Sequence, residues 1–353
     1  MTTRIYLASP VEPSGASWLV NCFLELGIRV SHKPIVDNVW RHRDPPPPPG
    51  HMWERGSDGR ERLKPRAAVL KKWLPALSRI EAFAFRDDIE VEYVQDLPSA
   101  HHAGTPVLLL VRDPRDSLYS MYRRVQPEFD YDTFLRLPTP DTLHDRPAHW
   151  RLFVERWLVL AGENWFTFEE YKQDAAGLLH RILHRLGAPY DDDRVERAVL
   201  ESSYEAARAA EARYRMHFPG DWEVANRAGR AGEWVESGES RSGAALIESR
   251  AGALMRRLGY RCAAAPDSGP DGWLDELCAF ASAVDEDLLR RSNLPNHRIR
   301  QLLEHLARVA RAQGWDSSER LVQLRQSFME GSGHQLAQVR DLLARRRMKP
   351  PEG

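Results

Sequence analysis

Cysteine is scarce: Cys22, Cys262 and Cys278 are the only three in 353 residues, and their spacing fits neither a disulfide framework nor a metal site. They read as reduced thiols, and no metal is expected. No apolar run approaches the ~18 residues of a membrane span. The longest candidates, Trp18 to Ile28 and Val107 to Val111, are interrupted or short. The N-terminus has neither a basic leader nor a long apolar stretch, so no signal peptide is expected and the reading is a cytoplasmic protein. Charge of one sign is missing too. Fifty Lys and Arg face 51 Asp and Glu, a formal net charge of −1. That balance argues against a protein whose main task is coating nucleic acid, and any anion site must be a local arrangement.

What is present is a soluble, globular composition, 42% hydrophobic and 29% charged, with enough chain for two domains. Arg4–Ser9 reads as a short buried strand, Pro10–Ala16 as a loop, and Trp18–Leu26 as an apolar helix capped by Ser17 and ended by Gly27. Residues 31–66 read as irregular, with five prolines at 45–49 that suit a stiff extended surface loop. Glu90–Gln95 and Pro106–Arg112 are the next strands. The second is continuously apolar, as expected of a central strand in a parallel sheet. Helices follow at Arg115–Arg124 and Ala148–Leu160, then a strand at Trp165–Phe168 and a helix at Tyr171–Leu186. This alternation predicts an α/β fold with a parallel sheet. After Gly259-Tyr260 the texture changes to a linker over 262–272 and then to helical stripes only, such as Ile299, Leu302, Leu303, Leu306 and Val309. A boundary is expected near residue 262.

Two strand–loop–helix junctions carry the chemistry. In the first, Glu12-Pro-Ser-Gly-Ala-Ser-Trp18, small residues allow backbone N–H groups to converge on an anion at a helix N-terminus. It lacks the Gly-Lys-Ser/Thr ending that would hold a nucleotide triphosphate and magnesium. In the second, Arg112-Asp-Pro-Arg-Asp-Ser-Leu-Tyr-Ser120, an Arg at a strand end can grip a phosphate bidentately while a Ser two turns into the helix donates a hydroxyl. Read without a ligand, Arg112 and Asp116 form a helix-start ion pair.

These residues resemble the sulfotransferases that use 3′-phosphoadenosine 5′-phosphosulfate (PAPS), over roughly residues 4–260. The resemblance implies that Ser14, Gly15, Ala16 and Ser17 bind the 5′-phosphosulfate end, that Trp18 stacks on adenine, and that Arg112 and Ser120 hold the 3′-phosphate. Trp165-Phe-Thr-Phe-Glu-Glu-Tyr171 is similar to the family's Tyr-Glu-Asp-Leu segment, with Phe168 in the aromatic position near the nucleotide. Ser202-Ser-Tyr204 resembles its element beside adenine, which implicates Ser202 and Tyr204. Arg227-Ala-Gly-Arg-Ala-Gly-Glu-Trp234 resembles the loop over the 3′-phosphate, which implicates Arg227, Ala228 and Gly229.

Four positions depart from the pattern, one of them Val235, where the family has a Lys after its Trp. Pro13 stands where the family has its loop Lys, and Ala228 replaces a second Lys. Asp96, in Tyr93-Val-Gln-Asp-Leu-Pro98, falls where the family has a catalytic His, which makes it the candidate general base or else a strand-end cap. His101 and His102 read as exposed loop residues, and Lys71, Lys72, Arg41 or Arg43 are candidates for the missing cation. Trp40, Trp53, His149 and Trp150 suit either an acceptor pocket or core packing.

The implied fold is a three-layer α/β domain over 1–261 with a phosphosulfate-binding loop, a linker over 262–272, and a helical C-terminal region over 273–353. The implied reaction moves a sulfuryl group from PAPS to a hydroxyl or amine of a small-molecule acceptor, releasing adenosine 3′,5′-bisphosphate. The alternative is a catalytically degenerate nucleotide-binding scaffold of the same fold; a phosphate-loop kinase ranks third. The C-terminal helices are expected to pack on the main domain, a second copy or a partner, with no nucleic acid or membrane involved.

Overall fold

The computed structural model describes residues 2–32, 53–55, 57, 61–63, 75–76, 79, 83–98, 102–125, 130–136, 144–217 and 229–263. The proline run at 45–49, Trp40, Arg41, Arg43, Lys71, Lys72, His101, Arg227, Ala228, Cys278 and the region 273–353 lie outside these residues. The chain divides into two compact units, one formed by 1–120 with 153–233 and the other by 121–152 with 234–353.

The first unit is built on a five-stranded parallel sheet. Its strands are β1 (Thr3–Ala8), β2 (Arg29–His32), β5 (Ile89–Val94), β6 (Val107–Val111) and β7 (Trp165–Thr167), in the order β2-β5-β1-β6-β7. β3 (Trp53–Arg55) and β4 (Glu61–Leu63) form a separate antiparallel pair. Every residue of β6 is buried, as a central strand covered on both faces requires. Alternation sorts the side chains: Ile5 and Leu7 join Val91, Leu108, Leu110 and Phe166 in one hydrophobic core. That core also takes in Leu19 and Phe23 of α1 (Ala16–Glu25) together with Leu178, Leu179 and Val195. Burying side chains of this size contributes ~1.5–3 kcal/mol each, which makes this layer the main anchor of the sheet.

Several elements differ from the sequence reading. α1 starts at Ala16 with Gly15 as N-cap, and Ser17 lies inside the helix, its carbonyl accepting from Asn21 Nδ2 at 2.6 Å. The reason is Gly15, whose φ of 89° turns the chain two residues before a Ser17 cap could act. Ser31 and His32 are not irregular; with Arg29 and Val30 they pair in parallel with β5. Phe168 does not end β7. Thr167 caps a new helix there, accepting from Glu170 N (3.1 Å) while Glu170 Oε2 accepts from Thr167 N (2.8 Å). The single helix expected over 171–186 is two, α5 (Phe168–Gln173) and α6 (Ala175–Arg185), because the Asp174 side chain accepts from Gly177 N at 2.8 Å and starts a fresh helix.

α2 (Pro114–Val125) and α4 (Arg146–Ala161) each run from one unit into the other. The first unit is completed by α7 (Asp192–Glu201) and α8 (Tyr204–His217). In the second unit, α3 (Tyr131–Arg136) packs on α9 (Gly238–Arg257) at Gly243, where a Cβ would come within 2.6 Å of Leu135 and Tyr131. Asp145 caps α4 by accepting from Ala148 N (2.8 Å), and its other oxygen takes Arg250 Nε (2.8 Å) in a buried ion pair. Trp150 is fully buried there, and His149 is buried as well. Burial, helped by His144 and Arg146, pushes the His149 imidazole down to about 4. Among the described residues no helix is long and apolar enough to cross a membrane.

Candidate functional site

The sheet order fixes where a ligand can meet several loops at once. From β1 the chain crosses to the β5–β2 side, and from β6 it continues to β7 on the other side. The carboxyl ends of β1 and β6 therefore flank the topological switch point, where open α/β sheets place their ligands. Both junctions singled out in the sequence leave the sheet here: Ser9–Gly15 after β1, and Arg112–Pro114 after β6.

The register brings a third element in. Val111 pairs with Thr167, so Arg112 and Phe168 are the first residues beyond the ends of neighbouring strands. The Arg112 guanidinium accordingly lies over the Phe168 ring, 4.5 Å from its centroid. The same ring closes off Gly15, where a Cβ would come within 2.6 Å of Phe168 Cδ2. Gly15 is thus required twice, for its positive φ and for this close approach. No side chain caps α1 by hydrogen bonding, so its first N–H groups are left to the loop and to whatever binds there. The Ser9 and Ser14 hydroxyls, both buried, bond to one another across the loop.

Arg112 is the centre of the arrangement. It is 5% exposed, donates from Nη1 to the Pro13 carbonyl at 3.3 Å and from Nη2 to the Arg230 carbonyl at 2.6 Å, and keeps a buried Nε without a hydrogen-bond partner. Asp116 Oδ2 stands 3.9 Å away, the helix-start pair anticipated from the sequence. Burial pulls the guanidinium pKa down, and Asp116, Glu169, Glu233 and Asp113 oppose it. An Arg stays charged through such shifts. Asp113 and Glu169 have backbone tasks: Asp113 caps α2 through Arg115 N (2.9 Å) and pairs with Arg115 Nη2 (2.6 Å), and Glu169 Oε1 accepts from Asp113 N (3.3 Å).

The segment 229–232 completes the site. Gly229, with φ of 61°, lies so close to Tyr204 that a Cβ would be 2.7 Å from Cδ2 of the ring. Its neighbour Arg230 accepts from Arg112, and Gly232 N donates to Asp116 Oδ2 at 2.6 Å. Ser120, half-buried, is one helical turn beyond Asp116 on the same face of α2.

The remaining candidates fall outside this cluster or only partly inside it. Trp18 is 6% exposed, with one face stacked on Tyr171 at 3.9 Å between centroids and its indole N–H without a hydrogen-bond partner. Ser202 is buried at the C-cap of α7 beside Cys22, whose thiol burial pushes up while the hydroxyl works the other way. Asp96 follows β5 and is exposed; its carbonyl accepts from Trp157 Nε1 at 2.9 Å. His102 is not an exposed loop residue. It is buried edge-on against Tyr6 of β1 (4.6 Å) and Trp157 of α4 (4.9 Å), two rings distant in sequence that cover it. Sequence reading gave no individual role to Tyr171 or Gly232. Only Tyr171 carried a signal, an aromatic spaced three from Phe168 on a helix.

The profile of the sulfotransferase domain family matches residues 95–240. These residues are a sulfotransferase domain. The match takes in Arg112, Ser120, Phe168, Ser202, Tyr204 and the 227–234 segment, and it begins after the 9–18 loop. No curated protein matches the sequence significantly. Among solved structures, retinol dehydratase in complex with androsterone and inactive cofactor PAP is 18% identical with a TM-score of 0.46, covering 73% of this chain and 82% of that one. Retinol dehydratase with retinol and PAP is 16% identical at 0.46, covering 74% and 83%. Mouse sulfotransferase SULT7A1 complexed with PAP is 14% identical at 0.45, covering 73% and 88%.

Proposed function

We propose that the chain transfers a sulfuryl group from PAPS to a hydroxyl or amine of a small-molecule acceptor, with adenosine 3′,5′-bisphosphate as the other product. The observation that carries this reading is Arg112, a buried guanidinium with a spare donor, held where three strand ends and a glycine loop converge. A buried cation compensated at 3.9 Å gains from an anion that binds it directly. The nucleotide fits the groups present. Arg112 and Ser120 would hold its 3′-phosphate, together with Arg227, Ala228 and Gly229. The Ser14–Ser17 turn into α1 would take the phosphosulfate end. Phe168, Tyr204 and the face of Trp18 not covered by Tyr171 would border the base, with Ser202 behind them. PAPS, when bound, supplies the sulfuryl group.

For the acceptor, Asp96 is the proposed base, receiving the proton of the attacking hydroxyl or amine. Its exposure, and Pro13 in place of a loop cation, favour the second reading, a nucleotide-binding protein of this fold without transfer activity. Transfer of radiolabelled sulfate from PAPS to a panel of phenols, alcohols and amines separates the two. Labelled product is expected, reduced ~100-fold or more by Asp96→Asn with nucleotide affinity kept. Nucleotide binding with no product from any acceptor would establish the scaffold reading.

A further inference from the structure

Trp18, Tyr171, Phe168 and Arg112 form one contiguous stack through three different elements. The Trp18 indole of α1 lies nearly parallel to the Tyr171 ring of α5, at 3.9 Å and 24°. Tyr171 meets Phe168, one helical turn before it, at 5.5 Å and 60°. Phe168 in turn carries the Arg112 guanidinium at 4.5 Å. The Lys172 ammonium is 5.5 Å from the Tyr171 ring centroid. Tyr171 therefore touches two of the three aromatics proposed to border the base, Trp18 and Phe168, and it packs against the hydrophobic core.

Such a ring does more than fill space. Trp18 is anchored through its helix, but only a partner ring fixes the tilt of the indole plane. A base stacking on the far face needs that plane already set, since every degree of freedom frozen on binding weakens affinity. A parallel aromatic contact on one face also leaves the indole with a single face for a ligand. The pair therefore determines from which side a base is received.

From this we infer that Tyr171 is a positioning residue of the nucleotide site, holding Trp18 and Phe168 in the orientation that receives the base of the donor. This rests on the proposed nucleotide reading. A Tyr here contributes through its ring, so Tyr171→Phe should behave as the parent, whereas Tyr171→Leu keeps an apolar side chain of similar reach and loses the stack.

The experiment is calorimetric titration of the full chain with adenosine 3′,5′-bisphosphate and, separately, with ribose 3,5-bisphosphate, which has both phosphates and no base. For Tyr171→Leu, affinity for the nucleotide should fall roughly three- to tenfold, the scale of one aromatic pair. Affinity for the ribose bisphosphate should stay within twofold. Tyr171→Phe should retain both affinities. Equal losses for the two ligands in Tyr171→Leu would overturn the inference, since a general loosening of the site spares neither. Loss of nucleotide affinity in Tyr171→Phe overturns it as well, because the hydroxyl would then be the acting group, and this variant keeps the test valid if the Leu substitution unfolds the chain. Parent protein that binds neither ligand would instead bring down the nucleotide reading itself.

Discussion

Replacing Arg112 by Ala tests the site at its most connected residue. In the ligand-free chain the guanidinium makes two hydrogen bonds to carbonyls, at Pro13 and Arg230, and neither acceptor is charged. A phosphate on the same group would exchange them for charge-assisted bonds of ~1.5–3 kcal/mol each. Two such bonds, less the net ~1 kcal/mol of each carbonyl bond displaced, leave about 1–4 kcal/mol specific to the 3′-phosphate. That corresponds to roughly 5- to 700-fold in affinity. The substitution has a second effect, because Arg112 also ties the 9–15 loop to the 229–232 segment. Loosening those loops weakens any nucleotide, so the informative quantity is a ratio. Titration calorimetry of adenosine 3′,5′-bisphosphate and adenosine 5′-phosphate against parent and variant should show the first losing at least about fivefold more than the second. Equal losses would refute the assignment of Arg112 to the 3′-phosphate and leave it a loop strut.

Two further outcomes follow from the geometry. Gly15→Ala and Gly104→Ala both place an L side chain at positive φ, 89° and 80°, but only the first adds a clash, with Phe168 at 2.6 Å, while the second opens into free space. Thermal denaturation should show Gly104→Ala losing about 1–2 kcal/mol from strain alone and Gly15→Ala about 1–3 kcal/mol more; equal losses would mean that the Phe168 ring yields without resistance. His149 is held neutral, its pKa pushed down to about 4 against an ordinary ~6.5, so the unfolded chain takes up its proton first as pH falls. Its contribution is intact above pH 6.5 and is lost as pH falls from there through 4, about 2 kcal/mol of it between pH 7.5 and 5; urea unfolding at the two values should show that slope in the parent and not in His149→Leu.

The fold was legible where period and burial agree. The apolar run of β6 announced a central strand, and the eight-residue interval from Arg112 to Ser120 could be read through the resemblance to the sulfotransferase family. β2 was not legible, since Arg-Val-Ser-His has no strand signature and becomes a strand by pairing with the edge of β5. Local capping rules also misled at α1. Ser17 is the better N-cap by type, yet Gly15 wins through its φ and through the ring that leaves no room for a Cβ. At the site, each residue's presence could be read but not its neighbours. Nothing local indicates that Arg112 lies on Phe168; that comes from the register of β6 with β7. His102 is buried for the same kind of reason, against side chains distant in sequence.

A protein with a net charge of −1 can still hold an anion if its carboxylates are otherwise engaged, and the surroundings of Arg112 show how. Four carboxylates bear on it, which by count alone should repel a phosphate. Three of the four, however, also hold other donors: Asp113 is bound to Arg115 and to the start of α2, Glu169 accepts from Asp113 N, and Asp116 accepts from Gly232 N. Their oxygens serve as struts for the loops. The carboxylate paired with the guanidinium is Asp116 at 3.9 Å, worth about 4 kcal/mol of attraction at an effective dielectric of 20, against about 6 for an anion at hydrogen-bonding distance. The advantage lies with the ligand. The sequence shows Pro13 where the resemblance calls for a loop cation, yet the folded chain brings a guanidinium to the carbonyl of Pro13 itself. A positive charge therefore stands at the loop after all, supplied from the end of the neighbouring strand.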